Sequence, residues 1–237
     1  MNDEKIRADA IDFAKHNKLH IAREVTNTSM YVPDETPVSV FMAGSPGAGK
    51  TEFSKRLVAI LEHNRKRRVV RIDGDQLRTL FPGYVGSNSN LFQGAVSLVI
   101  EKVHDLVLHN KQNFVFDGTL ADFDKAVENI RRSFERGRPV FIFYIYQKPD
   151  VAWRFTQARE IAEGRNIPKE AFIEQFLAAR ETVSRLLLEF GTTVNLFIVK
   201  KNFETNSVED LVEIQSVEQI DATIKERYSK DDLHRLI

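Results

Sequence analysis

Lys50 and Thr51 close the run Gly44-Ser45-Pro46-Gly47-Ala48-Gly49-Lys50-Thr51, whose residue types and spacing suit a nucleoside triphosphate. Glycine, four residues, then Gly-Lys-Thr is the phosphate-loop spacing. The glycines let successive backbone N–H groups turn inward around phosphates, where a side chain would block the approach. Lys50 can reach the β- and γ-phosphates, and Thr51 can bind Mg²⁺. A helix that follows aims its positive end at the anion. The apolar run Val38-Ser39-Val40-Phe41-Met42-Ala43 precedes the loop and a helical pattern follows it, which is the context the motif requires. The cofactors implied are Mg²⁺ and ATP, with GTP as the alternative donor.

Three further groups could supply chemistry. Arg71-Ile72-Asp73-Gly74-Asp75 ends a short apolar run. In doubly wound sheets ligands sit at the carboxyl ends of strands, so these aspartates should face the same crevice as Lys50. Asp75 could accept the proton of an attacking hydroxyl as a γ-phosphoryl group moves in line; capping of the next helix is the alternative, more strongly for Asp73. Phe114-Val115-Phe116-Asp117-Gly118-Thr119 is a second acidic strand end. Asp117 could hold Mg²⁺, bind an acceptor, or serve only as a turn residue before Gly118. Arg159 lies near a helix end and Arg165 follows Gly164, so both flank a hinge from which guanidinium groups can reach phosphate oxygens.

The elements that must position these groups alternate. Strands are expected at 38–43, 69–72, 113–116, 139–146 and 194–199, with helices at 51–63, 91–110, 122–136, 150–163 and 168–190. Pro168 is expected at a first helical position and Gly164 at a helix end. The strands are short and almost continuously apolar, as strands covered on both faces are. The fold class implied is α/β, a three-layer phosphate-loop kinase-like fold with a mostly parallel sheet of five to six strands. Residues 3–27 read as helical, with a second segment around Ile21 and Val25, within an extension over 1–36. The main domain is expected over 37–200. Residues 201–237 are expected to form a peripheral strand and helix of the same domain.

Composition narrows the classes. Lysine plus arginine and aspartate plus glutamate number 34 each, so no global field draws the chain to nucleic acid or an anionic membrane. There is no cysteine, which excludes disulfides and thiolate metal sites and suits a reducing cytosol. The amino terminus lacks the apolar core of a signal peptide, and no apolar stretch approaches the ~20 residues that span a bilayer. A cytoplasmic location is the simplest expectation.

Gly44–Thr51, Ile72-Asp73-Gly74-Asp75, Phe116-Asp117-Gly118-Thr119 and the pair Arg159 and Arg165, in this order, resemble the zeta toxin family of phosphate-loop kinases over roughly residues 38–200. The resemblance implies transfer of the ATP γ-phosphate to the 3′-hydroxyl of UDP-N-acetylglucosamine, and a small antitoxin that blocks the nucleotide site. It makes Asp75 the general base, Lys50 the phosphate anchor, and Arg159 and Arg165 the pair that steadies the transferring group. It makes Glu101 and Thr119 contacts of the sugar nucleotide; the residue pattern alone reads Glu101 as a solvated helix position. Two departures stand out. The family's strand often ends in Glu where this chain has Asp117, and Ala121 stands where zeta toxins can carry a substrate-binding arginine. Both bear on which acceptor fits.

Other readings use the same residues. A kinase of an antibiotic, nucleoside or dinucleotide would share Asp75 and the loop. A polynucleotide kinase is suggested by Arg65-Lys66-Arg67-Arg68 with Arg131 and Arg132, against which zero net charge speaks. An inactive nucleotide-dependent partner protein would have no need of Asp75 and the arginine pair. His104 and His109 are five apart, off a shared helix face, and so suggest no metal site.

Overall fold

The computed structural model describes residues 2–65, 67–202 and 207–237. Its elements in chain order are α1 (Asp3–Val25), β1 (Ser39–Ala43), α2 (Lys50–Arg65), β2 (Val70–Asp73), α3 (Gly74–Arg78), α4 (Gln93–His109), β3 (Phe114–Asp117), α5 (Phe123–Phe134), β4 (Val140–Tyr146), α6 (Pro149–Glu163), α7 (Lys169–Phe190), β5 (Val194–Lys201), β6 (Val208–Ile214), α8 (Val217–Thr223) and α9 (Lys230–Leu236). The six strands form one sheet in the order β2-β3-β1-β4-β5-β6. The first five are parallel, and β6 runs antiparallel to β5 on the edge.

Strand β1 is buried along its whole length, and its alternate residues serve different layers. Val40 and Met42 pack with Phe53, Leu57, Val58 and Leu61 of α2 on one face. Phe41 and Ala43 join the larger core on the other face, which includes residues of α1, α4, α5 and α7. A strand apolar at every position can be stable only when both its faces are covered this way. From the carboxyl end of β1 the chain passes first to β2 and β3 on one side and later to β4 on the other. That is the switch point where doubly wound sheets open a crevice for ligands.

The amino-terminal segment is one continuous helix, where two were expected. Asn2 caps it through the Glu4 N–H, and Ala10, Ala14, Ile21 and Ala22 are buried on the side that packs on α4. The three alanines let the two helices approach closely, and Ile6, Ile11, Phe13 and Val25 pack around them. The connector after α1 is fastened through Gln112, whose Nε2 donates to the carbonyls of Thr26 (2.8 Å) and Tyr31 (2.6 Å). Arg138, 2% exposed, donates to Ser39 Oγ and to the carbonyls of Val38 and Gln112. It ties together the amino ends of β1 and β3, away from the crevice.

His104 on α4 is buried among Phe41, Phe114 and Phe116. Burial, helped by the nearby Arg132, pushes its pKa down from 6.5 to about 3. Between those values the unfolded chain binds a proton that the folded protein does not. Folded stability should therefore fall as pH drops from 6.5 toward 3, with a slope of up to ~1.4 kcal/mol per pH unit from this group. Urea midpoints at several pH values test this. His104→Phe should flatten the acid limb, and an unchanged limb would remove His104 as its cause.

Candidate active site

The loop between β1 and α2 is shaped by three glycines with positive φ: Gly44 (136°), Gly47 (72°) and Gly49 (88°). Two of them also lack room for a side chain. A Cβ on Gly44 would lie 2.4 Å from the carbonyl oxygen of Ile145, and one on Gly47 would lie 2.0 Å from that of Ala152. The Gly44 N–H donates to the Thr119 carbonyl at 3.1 Å, which braces the start of the loop against the turn after β3. Helix α2 begins at Lys50, so the loop delivers Lys50 and Thr51 to its first turn.

Lys50 Nζ donates to the carbonyls of Gly44 (2.8 Å) and Ser45 (2.6 Å). Burial lowers its pKa from 10.5 to about 8, with Asp117 and Asp75 opposing and Arg165 and Arg159 adding to the fall. At neutral pH it still carries its charge. A triphosphate offers that charge a better partner than two neutral carbonyls. Lys50→Ala should weaken ATP binding by about 10- to 100-fold, the range for a lost charged hydrogen bond, and should lower transfer as well. Calorimetric titration with ATP checks it; an unchanged affinity would remove Lys50 as the anchor.

Of the two aspartates, Asp73 takes the capping position. Asp73 caps α3, its Oδ1 accepting the Asp75 N–H at 2.8 Å. Burial raises the Asp73 pKa, with Arg71 opposing. Asp75 sits in the first turn of α3, two residues past the strand end, and points into a group of arginines. Its Oδ1 accepts from Arg78 Nη1 at 2.7 Å, its Oδ2 accepts from Arg165 Nη1, and Arg159 Nη2 lies 3.8 Å away. Gly164 ends α6 in the left-handed conformation at φ 71°, as expected, and so turns Arg165 back toward Arg159. Burial lowers the Arg165 pKa and the Asp75 carboxylate opposes the fall. Pro168 stands one position before the first turn of α7 rather than inside it, because its extended ψ of 144° continues the hinge.

Asp117 closes β3 with its side chain 5% exposed. Its Oδ2 accepts from Ser54 Oγ (2.7 Å) and from Arg71 Nη2 (2.6 Å), and Arg71 also reaches Asp73 Oδ2. Ser54 belongs to the turn of α2 that follows Thr51, so this bond fastens the carboxylate to the start of that helix. These donors suit a nucleotide-borne Mg²⁺, which takes one hydroxyl, one or two carboxylates and phosphate oxygens. Among the described residues no group of three or more acidic, His or Cys side chains could hold a metal unaided. The ion would rest chiefly on the phosphates. Thr119 is half-buried beside the loop, whereas Glu101 is exposed on α4, without a hydrogen bond or ion pair among the described residues. Ile100, its neighbour, lies 3.2 Å from the place a Gly74 Cβ would occupy, so that turn of α4 borders α3.

Arg71, Arg78 and Gln93 belong to the site but were not singled out by sequence. Arg71 was legible as a lone charge inside an apolar strand, and Arg78 as an (i, i+3) partner of Asp75. Four of the basic residues that suggested nucleic acid make contacts within the molecule. Arg67 donates to the Pro33 carbonyl, Arg68 lies over Tyr31, Arg131 pairs with Glu189 and Arg132 with Asp105. Lys66 and the Arg65 side chain lie outside what the structure describes.

The fold and the loop define a phosphate-loop protein of kinase-like α/β architecture. The sequence profile of the zeta toxin family matches residues 21–210, and the chain belongs to that family. No curated protein sequence matches it. Among solved structures it is similar to a chain of the PezAT chromosomal toxin–antitoxin system of Streptococcus pneumoniae, with a TM-score of 0.67 and 17% identity over 94% of this chain and 91% of that one. It is also similar to a chain of the AvrRxo1-ORF1:-ORF2 complex, with a TM-score of 0.62 and 14% identity over 95% of this chain and 73% of that one. A structure of that complex with ATP gives a TM-score of 0.57 at 15% identity, with the same coverage. At these identities the structural likeness is one of fold. Among the described residues no helix is long and apolar enough to cross a membrane.

Proposed function

We propose that the protein is a zeta-toxin-like small-molecule kinase that transfers the ATP γ-phosphate to the 3′-hydroxyl of UDP-N-acetylglucosamine. The observation that carries this reading is the convergence of Arg78, Arg159 and Arg165 on the one carboxylate of Asp75, at the same strand ends as the loop that bears Lys50. In the step proposed, the acceptor oxygen forms a bond to the γ-phosphorus as the bond to the ADP oxygen breaks. The acceptor's proton passes to Asp75. Lys50, Arg159 and Arg165 balance the charge on the phosphoryl oxygens, where fixed cations lower the barrier most. Mg²⁺, held by Thr51, Asp117 and the phosphates, would supply further neutralisation. Asp117, Thr119 and Glu101 form the acceptor side of this reading.

Residues 37–200 are read as the catalytic unit, with 1–36 and 201–237 covering it. Family membership supports an antitoxin partner, and neighbours of similar fold come from toxin–antitoxin and ORF1:ORF2 complexes. Ala121 favours a second reading of the acceptor. Without a cation at that position, a diphosphate sugar loses a contact, and another hydroxylated acceptor such as a dinucleotide, nucleoside or antibiotic gains room. Mass spectrometry of the protein with ATP, Mg²⁺ and a panel of these acceptors decides it. UDP-N-acetylglucosamine should gain one phosphate. Its failure to do so while another acceptor is phosphorylated would replace the substrate and keep the kinase, and no transfer at all would remove the kinase.

A further inference from the structure

We infer that Arg78 is a positioning residue that holds Asp75 in its catalytic orientation by binding one carboxylate oxygen and leaving the other for the acceptor's proton. The inference rests on the reading of Asp75 as general base. Three arginines touch or approach that carboxylate, and they are not equivalent. Arg159 and Arg165 come from the end of α6 and the turn after it, and their side chains are 37% and 23% exposed. Arg78 comes from α3 itself, and its side chain is 6% exposed.

The anchoring differs as well. Arg78 Nη1 donates to Asp75 Oδ1 at 2.7 Å and Nη2 donates to Gln93 Oε1 at 2.9 Å, at the first residue of α4. The planar fork therefore spans two elements and cannot turn without breaking both bonds. Its Nε has no partner among the described residues, so a buried donor is left unpaired to keep this orientation. An orphaned donor of that kind is costly.

The consequence appears when nucleotide binds. A phosphate group carries more charge than one carboxylate, so Arg159 and Arg165 would move their hydrogen bonds to it. Asp75 Oδ2 is then released, which a base needs. Oδ1 stays fixed because Arg78 is buried beneath it and reaches no phosphate. Without Arg78 the carboxylate would rotate or follow the lid arginines, and a misplacement of ~1 Å in a reacting group can cost about 10²-fold in rate.

The test uses the full chain with Mg²⁺, γ-phosphate-labelled ATP and a small-metabolite extract as acceptor, with label transferred to small molecules as the readout. Arg78→Gln should lower the maximal transfer rate by about 10- to 100-fold while the KM for ATP stays within about twofold. In an Asp75→Asn background the same change should add nothing, because a residue acting through Asp75 has no further effect once the base is gone. Arg78→Lys, which keeps charge but cannot span Asp75 and Gln93, should recover part of the rate. A wild-type rate in Arg78→Gln, or an equal fall in both backgrounds, overturns the inference and leaves the kinase standing. Full activity in Asp75→Asn, or no transfer by the unaltered protein, removes the base or kinase reading itself. Should Arg78→Gln fail to fold, Gln93→Leu decides, since it frees the far end of the fork without touching Asp75. A lowered rate supports the inference and an unchanged rate overturns it.

Discussion

Asp75→Asn is expected to bind ATP at least as well as the unaltered protein and to transfer phosphate ~10²- to 10⁴-fold more slowly, the range for loss of a positioned base. The two halves of this expectation have separate origins. Asparagine keeps the size of the carboxylate and still offers Arg78 an oxygen, so α3 and its neighbours should retain their places. It cannot take a proton from a hydroxyl. It also removes the negative charge with which Arg159 and Arg165 are paired. ATP would then find these cations with weaker competition. Titration calorimetry and single-turnover transfer, done side by side, separate binding from chemistry. An Asn variant with near-full transfer would take Asp75 out of the mechanism.

Gly47→Ala should abolish useful nucleotide binding, although it adds one methyl group. The new Cβ would lie 2.0 Å from the Ala152 carbonyl oxygen and 2.7 Å from Thr156 Oγ1. Thr156 could rotate away. The Ala152 carbonyl is part of the helical ladder of α6 and cannot, so the loop itself has to move. The φ of 72° adds strain of about 1 kcal/mol for a non-glycine residue. Displaced N–H groups no longer converge on a phosphate. Gly83→Ala is the control. Its φ is 78° but no atom lies within 4 Å of the added Cβ, so it carries the backbone strain without the clash. Thermal melts with and without ATP distinguish them. The wild type and Gly83→Ala should gain stability from ATP, and Gly47→Ala should not. An ATP-stabilised Gly47→Ala would mean that the loop tolerates the shift.

The elements of this fold were visible in sequence wherever burial imposes a pattern. The five parallel strands stand within a residue or two of the expected positions, because an apolar run between helices has little alternative. Edge strand β6 carries mostly exposed residues, so its pattern offered less than its pairing with β5 supplies. Helix α3 is five residues long, too short for any periodicity, and its presence moved Asp75 from a strand end to a helix turn. The phosphate loop was legible because its spacing and its glycines follow from one ligand shape. Arg71, Arg78 and Gln93 were less so. Each is an ordinary polar residue in sequence and gains its role only when separate chain segments meet around Asp73, Asp75 and Asp117.

The cations of the site are engaged with the protein's own groups: Lys50 with carbonyls of its own loop, and Arg78, Arg159 and Arg165 with Asp75. Ligand entry is therefore an exchange reaction. A small monoanion such as chloride or acetate could satisfy one of these groups only by stranding another, and so gains little. A triphosphate brings enough oxygens to replace several of the lost bonds at once. Internal pairing thus acts as a threshold, by which a basic cleft stays closed to the abundant simple anions around it and open to the scarce polyanion.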